Sequence, residues 1–278
     1  MTRRRERGCR AVGEYPDKLG PHEWKTGAGA AISTERTAAA DHAVPGGVLI
    51  AFEGGEGAGK SSQISALATS LRTAGHPVLV THEPGATPVG RQIRKLLLET
   101  DAPIAPRSEA LLFAADRAHH VATVIRPALG RGEVVITDRF VDSSLAYQGA
   151  GRTLSVDDVA KLSRWATEGL VPHLTVLLDV PVTVGLARVG NRAGGSGPDR
   201  LERETLVFHE RVREGFQELA AAEPERYLVL DATLPQDELA ATIETAVTRM
   251  LSRQPEALSH QQALSHQEAT SHQRLEGE

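Results

Sequence analysis

Residues Gly54 to Ser61 read Gly-Gly-Glu-Gly-Ala-Gly-Lys-Ser, entered from the apolar run Val48-Leu49-Ile50-Ala51-Phe52 and followed by a helix-compatible stretch. The order of strand, glycine loop and helix restricts this chain more than any other feature. Glycines let the backbone curl so that successive N–H groups point inward, and the next helix adds the positive end of its dipole. Gly54, Gly55, Glu56, Gly57, Ala58 and Gly59 then form a cradle for the phosphates of a nucleoside triphosphate. Lys60 reaches the terminal phosphates, Ser61 is placed to ligate magnesium, and Ser62 continues the triphosphate site into the helix. The bland alternative is a glycine-rich turn in a chain with 26 glycines. It requires strand, Lys-Ser pair and helix to coincide, in a chain with five lysines against 26 arginines.

Residues 46 to 252 alternate strand and helix signals. Strands are expected at Val48 to Glu53, Pro77 to His82, Glu133 to Asp138, Leu174 to Val180 and Tyr227 to Asp231, all rich in branched apolar residues. Helices are expected at Ser61 to Ala74, Gly90 to Leu98, Ser108 to Leu129, Ser155 to Glu168, Val182 to Arg188, Asp199 to Ala222 and Pro235 to Leu251. Short apolar strands separated by helices predict an α/β fold, a doubly wound parallel five-stranded sheet flanked by helices. Ligands bind such sheets beyond the carboxyl ends of the strands. Residues 1–45 lack either period and read as a disordered extension. Residues 253–278 carry Ser-His-Gln at 259, 265 and 271, a polar hexapeptide repeat read as a solvated tail rather than a metal site.

With 40% hydrophobic residues and a net charge of −5, the chain reads as a soluble globular protein with no general affinity for nucleic acid. A lone cysteine, Cys9, allows no internal disulfide and fits a reducing, cytoplasmic setting. Arginines 3, 4, 5, 7 and 10 precede no apolar core of signal length, and no stretch approaches the roughly 20 apolar residues of a membrane span.

Further motifs fall at expected strand ends. Thr81-His82-Glu83-Pro84-Gly85 puts one carboxylate, Glu83, on a rigid loop. Asp138 ends the run Val134-Val135-Ile136-Thr137 as a magnesium-associated acid would, with Arg139 beside it. Ser143-Ser144-Leu145-Ala146-Tyr147-Gln148-Gly149 clusters hydroxyls, a phenol and an amide. Phe113 and Arg117 are four apart on an expected helix, either a base-stacking pair or a core phenylalanine beside a surface arginine. Arg188, Arg192 and Arg200 flank a glycine-rich stretch, which suits either a lid whose guanidiniums swing onto phosphates or an ordinary solvated loop.

Together Phe52 to Ser61, Glu83-Pro84-Gly85, Asp138-Arg139-Phe140, Ala146-Tyr147-Gln148-Gly149 and Asp199-Arg200-Leu201-Glu202 resemble the bacterial thymidylate kinase family, across about residues 46–250. That resemblance implies a P-loop NTPase-type fold with a short arginine-bearing lid. It implies transfer from ATP, with Mg²⁺, to thymidine monophosphate. Phe113 then stacks on thymine, Arg117 and Ser144 read its edge, and Tyr147 sits against the sugar beside Gln148. Arg139 holds the acceptor phosphate, with Arg94 a second candidate, and Glu56 serves the acceptor and its arginine. Glu83 and Asp138 complete that side, and Ser61 with Asp138 would hold the metal. With Glu56 and Ala58 in the loop, the transition-state cation is implied to come from Arg188, Arg192 or Arg200. The family is usually homodimeric, binding neither membrane nor nucleic acid. His82 departs from it, since many relatives carry arginine there.

Overall fold

Val48–Glu53, β1, is buried along its whole length, and a computed structural model, describing residues 47–191 and 199–252, shows what covers it. Val48, Ile50 and Phe52 pack on one face with Ile64, Leu67, Leu71, Ile243 and Val247. Leu49 and Ala51 pack on the other with Val121, Ile125, Ala128, Leu129 and Val135. The strand's period of two thus feeds two helical layers, and each fully buried large apolar side chain contributes about 1.5–3 kcal/mol.

Five strands form one sheet in the order β2-β3-β1-β4-β5, every pairing parallel. The others are β2 (Val78–His82), β3 (Val134–Asp138), β4 (Leu174–Asp179) and β5 (Tyr227–Asp231). Phe52 pairs with Asp138, which pairs with His82, so three strands end their described register together. After β1 the chain builds one side of the sheet and later the other, and the reversal opens a crevice at the carboxyl end of β1.

The helices are α1 (Lys60–Thr73), α2 (Pro88–Leu98), α3 (Pro106–His120), α4 (Arg126–Gly130), α5 (Val141–Ser144), α6 (Val156–Thr167), α7 (Val182–Gly190), α8 (Leu206–Ala222) and α9, residues 236–252. Thr87, Ser155 and Thr205 cap α2, α6 and α8, each accepting the backbone N–H three residues on, the usual N-cap arrangement. Two expectations change. The helix expected over Ser108 to Leu129 is interrupted by a π-helical turn at Val121–Ile125, directly before Pro127, which has no N–H to continue the ladder. The helix expected from Asp199 begins only at Leu206, because Asp199 Oδ1 instead accepts the N–H groups of Leu201 and Glu202. The segment after Phe140 is helical, α5 followed by a π-helical Leu145–Gly151. Its outer cover is α8, and Tyr147 meets Phe208 and Phe216 edge-on, each at 6.1 Å.

Candidate active site

The loop leaving β1 requires glycine at particular places. Gly54 and Gly57 have φ of 133° and 67°. A Cβ on Gly57 would lie 2.1 Å from the Gly185 carbonyl oxygen, and one on Gly185 would lie 2.2 Å from that of Glu56. The loop and α7 therefore meet backbone to backbone. Lys60 Nζ donates to the carbonyls of Gly54 and Gly55, each at 3.1 Å. Burial first, and Arg139 second, lower the Lys60 pKa. Ser61 Oγ lies 3.5 Å from Asp138 Oδ2, while Asp138 Oδ1 is buried with no hydrogen-bond partner among the described residues.

Across the cleft, Glu56 Oε1 accepts from Arg139 Nη2 and the Tyr147 hydroxyl, both at 2.8 Å. Burial pushes the Glu56 carboxyl up, but Arg139, Lys60 and the Tyr147 hydrogen bond outweigh it and hold the pKa at about 2. Arg139 has a left-handed backbone with φ of 72°, fixed by its N–H on the Phe52 carbonyl and its own carbonyl on Thr137 Oγ1. Such a conformation is uncommon outside glycine and tends to mark function. The turn aims the guanidinium at Gly54 O, Ser143 Oγ and Glu56, 4.9 Å over the Tyr147 ring.

Glu83 anchors the wall behind. It accepts Arg117 Nε at 2.7 Å and pairs with His120 Nδ1 at 2.9 Å. Arg117 is 1% exposed, so the alternative of a core phenylalanine beside a surface arginine does not describe it. Its other nitrogens donate to Ser144 Oγ at 2.9 Å and the Phe140 carbonyl at 2.8 Å. Phe113, Ser144, Tyr147, Gln148 and Arg94 line one cleft of about 1040 Å³ with Glu56 to Lys60 of the glycine loop, Ser61, Ser62, Glu83, Asp138, Arg139 and Arg188, while Gly54 and Gly55 lie outside its lining. A volume of this size exceeds what one small nucleotide needs. Arg94 donates to the Pro84 carbonyl at 2.9 Å, and Arg188 to the Ala232 carbonyl at 3.0 Å. His82 also lines the cleft, its pKa lowered by burial and then by Arg94. Arg200 is bonded to Glu109, outside the cleft lining. Arg192 lies outside the described residues.

One buried acid escaped the motif reading. Glu53 receives the N–H groups of Phe140 and Ser143 and the Ser143 hydroxyl, at 2.8, 3.2 and 2.6 Å, so it pins the turn that carries Arg139. Its signal was a carboxylate ending an otherwise apolar strand. Burial, reinforced by Asp142, raises its pKa from the ordinary 4.5 to about 7. A folded-state value above the unfolded one means that the stability from this group is complete below about pH 4.5 and lost as pH rises through about 7. Glu53→Gln is therefore expected to flatten the fall in Tm between about pH 4.5 and 7 in thermal melts. An unchanged slope removes Glu53 as its source.

The family model described as thymidylate kinase matches residues 52–243. The chain is 53% identical over 206 residues to the thymidylate kinase of Clavibacter michiganensis subsp. michiganensis, covering 74% of this chain and 97% of that protein. It is 53% identical over 202 residues to that of Deinococcus radiodurans, covering 73% and 97%. Among solved structures, thymidylate kinase from Ehrlichia chaffeensis superposes with a TM-score of 0.57 at 29% identity, covering 74% of this chain and 99% of that one. Half-identical to such enzymes over nearly their whole length, and similar in fold to a solved one, this chain belongs to the thymidylate kinase family.

Proposed function

We propose that this kinase transfers the γ-phosphoryl group of ATP to thymidine monophosphate, yielding ADP and thymidine diphosphate. The observation that carries the reading is the joint at Glu56, where a residue inside the triphosphate loop holds Arg139 and Tyr147 of the acceptor side. A generic triphosphatase has no need of a carboxylate there.

The acceptor is a phosphate monoester already mostly ionised at neutral pH, so no side chain has to remove a proton. The task is to bring two polyanions into line and offset their repulsion. Lys60 serves the donor's terminal phosphates, Arg139 the acceptor phosphate with Arg94 nearby, and Arg188 and Arg192 the developing charge. Phe113 stacks on the base, Arg117 acts on its edge with Ser144, and Tyr147 occupies the space beside the sugar. Ser61 and Asp138 Oδ1, which has no hydrogen-bond partner among the described residues, fit a hard cation, since Mg²⁺ takes one or two protein oxygens and completes its shell with water and phosphate. When bound, it would neutralise phosphate charge.

The test is ADP release across thymidine, uridine, cytidine and guanosine monophosphates. Thymidine monophosphate is expected to give the highest kcat/KM, and little ATP is hydrolysed without acceptor. Full-rate hydrolysis with no monophosphate present would replace the kinase with an ATPase. Phe113→Ala is expected to raise the KM for thymidine monophosphate about tenfold through lost base stacking, with the ATP KM unchanged. An equal rise in both constants removes the base-stacking role. We take residues 46–252 as the catalytic unit of a cytoplasmic homodimer. Light scattering at twice the 29.7 kDa chain mass is the expected result, with activity retained after deletion of 1–44 and 254–278.

A further inference from the structure

Glu109 stands in the first turn of α3 with a side chain 0% exposed, yet the chemistry above gives it no task. Its Oε1 accepts from Gln148 Nε2 at 2.9 Å and Arg152 Nε at 3.2 Å. Its Oε2 accepts from Arg152 Nη2 at 3.1 Å and Arg200 Nη2 at 2.5 Å. Arg200 further donates Nε to the Leu97 carbonyl at 2.6 Å, and its backbone N–H to the Leu98 carbonyl at 3.2 Å. Arg152 reaches on to Glu204 at 2.7 Å and lies 4.8 Å over the Phe208 ring.

One carboxylate thus joins four stretches of chain that are distant in sequence: the end of α2, the start of α3, the π-helical turn and the segment 199–204. Each supplies a wall of the cleft, through Leu98, Phe113, Gln148 and the trio Asp199, Leu201 and Glu202. Phe113 follows Glu109 by four residues and shares its helix face. Arg200 and Glu109 do not line the cleft themselves. Burial pushes the Glu109 carboxyl up, but hydrogen bonds from Arg152, Gln148 and Arg200 outweigh it and keep it ionised. A buried ion cluster adds little net stability over an apolar one of the same shape, whereas bidentate arginine geometry fixes the relative placement of its elements.

We propose that Glu109 is the positioning residue of the acceptor-side wall, and that Arg200 acts through it rather than on the transferring phosphates. The inference rests on the kinase reading above and assigns Arg200 a different task from the other arginines around the glycine-rich stretch.

Glu109→Gln leaves two guanidiniums without their carboxylate and risks unfolding, so Arg200 variants of the full chain carry the test. For Arg200→Ala, the monophosphate KM and its calorimetric Kd are expected to rise about tenfold, with kcat within about threefold and the ATP KM unchanged. Arg200→Lys keeps the charge without the fork and is expected to recover part of the affinity; it also decides the matter should the alanine variant lose its melting transition. A kcat about a hundredfold lower at unchanged KM places Arg200 on the phosphates and overturns the proposal. Unchanged Kd in both variants overturns it as well. Wild-type chain that binds thymidine monophosphate without phosphorylating it defeats the kinase reading and leaves the binding comparison intact, while no binding at all defeats both.

Discussion

Lys60→Ala is expected to lower kcat by about 10²–10³-fold, the loss that follows removal of one preorganised donor from a site where charge shifts during reaction. Lys60 is 8% exposed and opens α1, so its ammonium is held where the glycine loop curls, on the carbonyls of Gly54 and Gly55. Those carbonyls belong to a loop fixed independently by the close approach of Gly57 to Gly185. The variant therefore keeps its fold, and its Tm is expected within a few degrees of wild type. Steady-state kinetics beside a thermal melt separate the two effects. A kcat within tenfold of wild type ends the assignment of Lys60 to the transferring phosphoryl group.

The second large effect is expected at Arg139. Arg139→Ala removes the cation from the acceptor side and also strands Glu56, whose carboxylate then faces an incoming dianion. Truncating one partner of a buried hydrogen-bonded charge pair costs about 2–5 kcal/mol, so kcat/KM for the monophosphate falls by about 10²–10³-fold. Much of that penalty belongs to the abandoned carboxylate rather than to the lost contact. Adding Glu56→Gln to the Arg139→Ala variant is therefore expected to recover about tenfold, although Glu56→Gln alone weakens the wild type. Strictly additive losses across the four proteins would show that the two residues do not act as a unit.

The five strands were legible because each is short and rich in branched apolar residues, and the three central ones, β3, β1 and β4, are buried between helical layers, which leaves apolar runs bounded by polar strand ends. The glycine loop after β1 was legible for a different reason: its geometry demands glycines, and glycines are visible. Harder to see were residues whose role comes from distant partners. Arg117 looked like half of a helical pair, yet its donors go to Glu83, Ser144 and Phe140, all brought in by other elements. Glu109 sits in the first turn of α3, where the helix dipole alone accounts for an acid. Nothing local announces that Gln148, Arg152 and Arg200 converge on it. The helix expected from Asp199 failed on a capping choice: Asp199 satisfies two nearby N–H groups in a turn, and Thr205 is the true cap. The threonine three residues before Phe208 was the signal that could have placed that start.

Gly57 and Gly185 each lie where the other's side of the chain forbids a methyl group, at 2.1 Å from the Gly185 oxygen and 2.2 Å from the Glu56 oxygen. For sequence drift this closes both orders of change. An alanine at 57 meets a carbonyl that cannot retreat without moving α7, and an alanine at 185 meets the loop itself. Because the obstacle in each case is backbone, no compensating substitution at the opposite position can make room. The pair is therefore an evolutionary dead end within this fold, and divergence of the donor side has to proceed around it, through residues such as Arg188 that α7 carries past the contact.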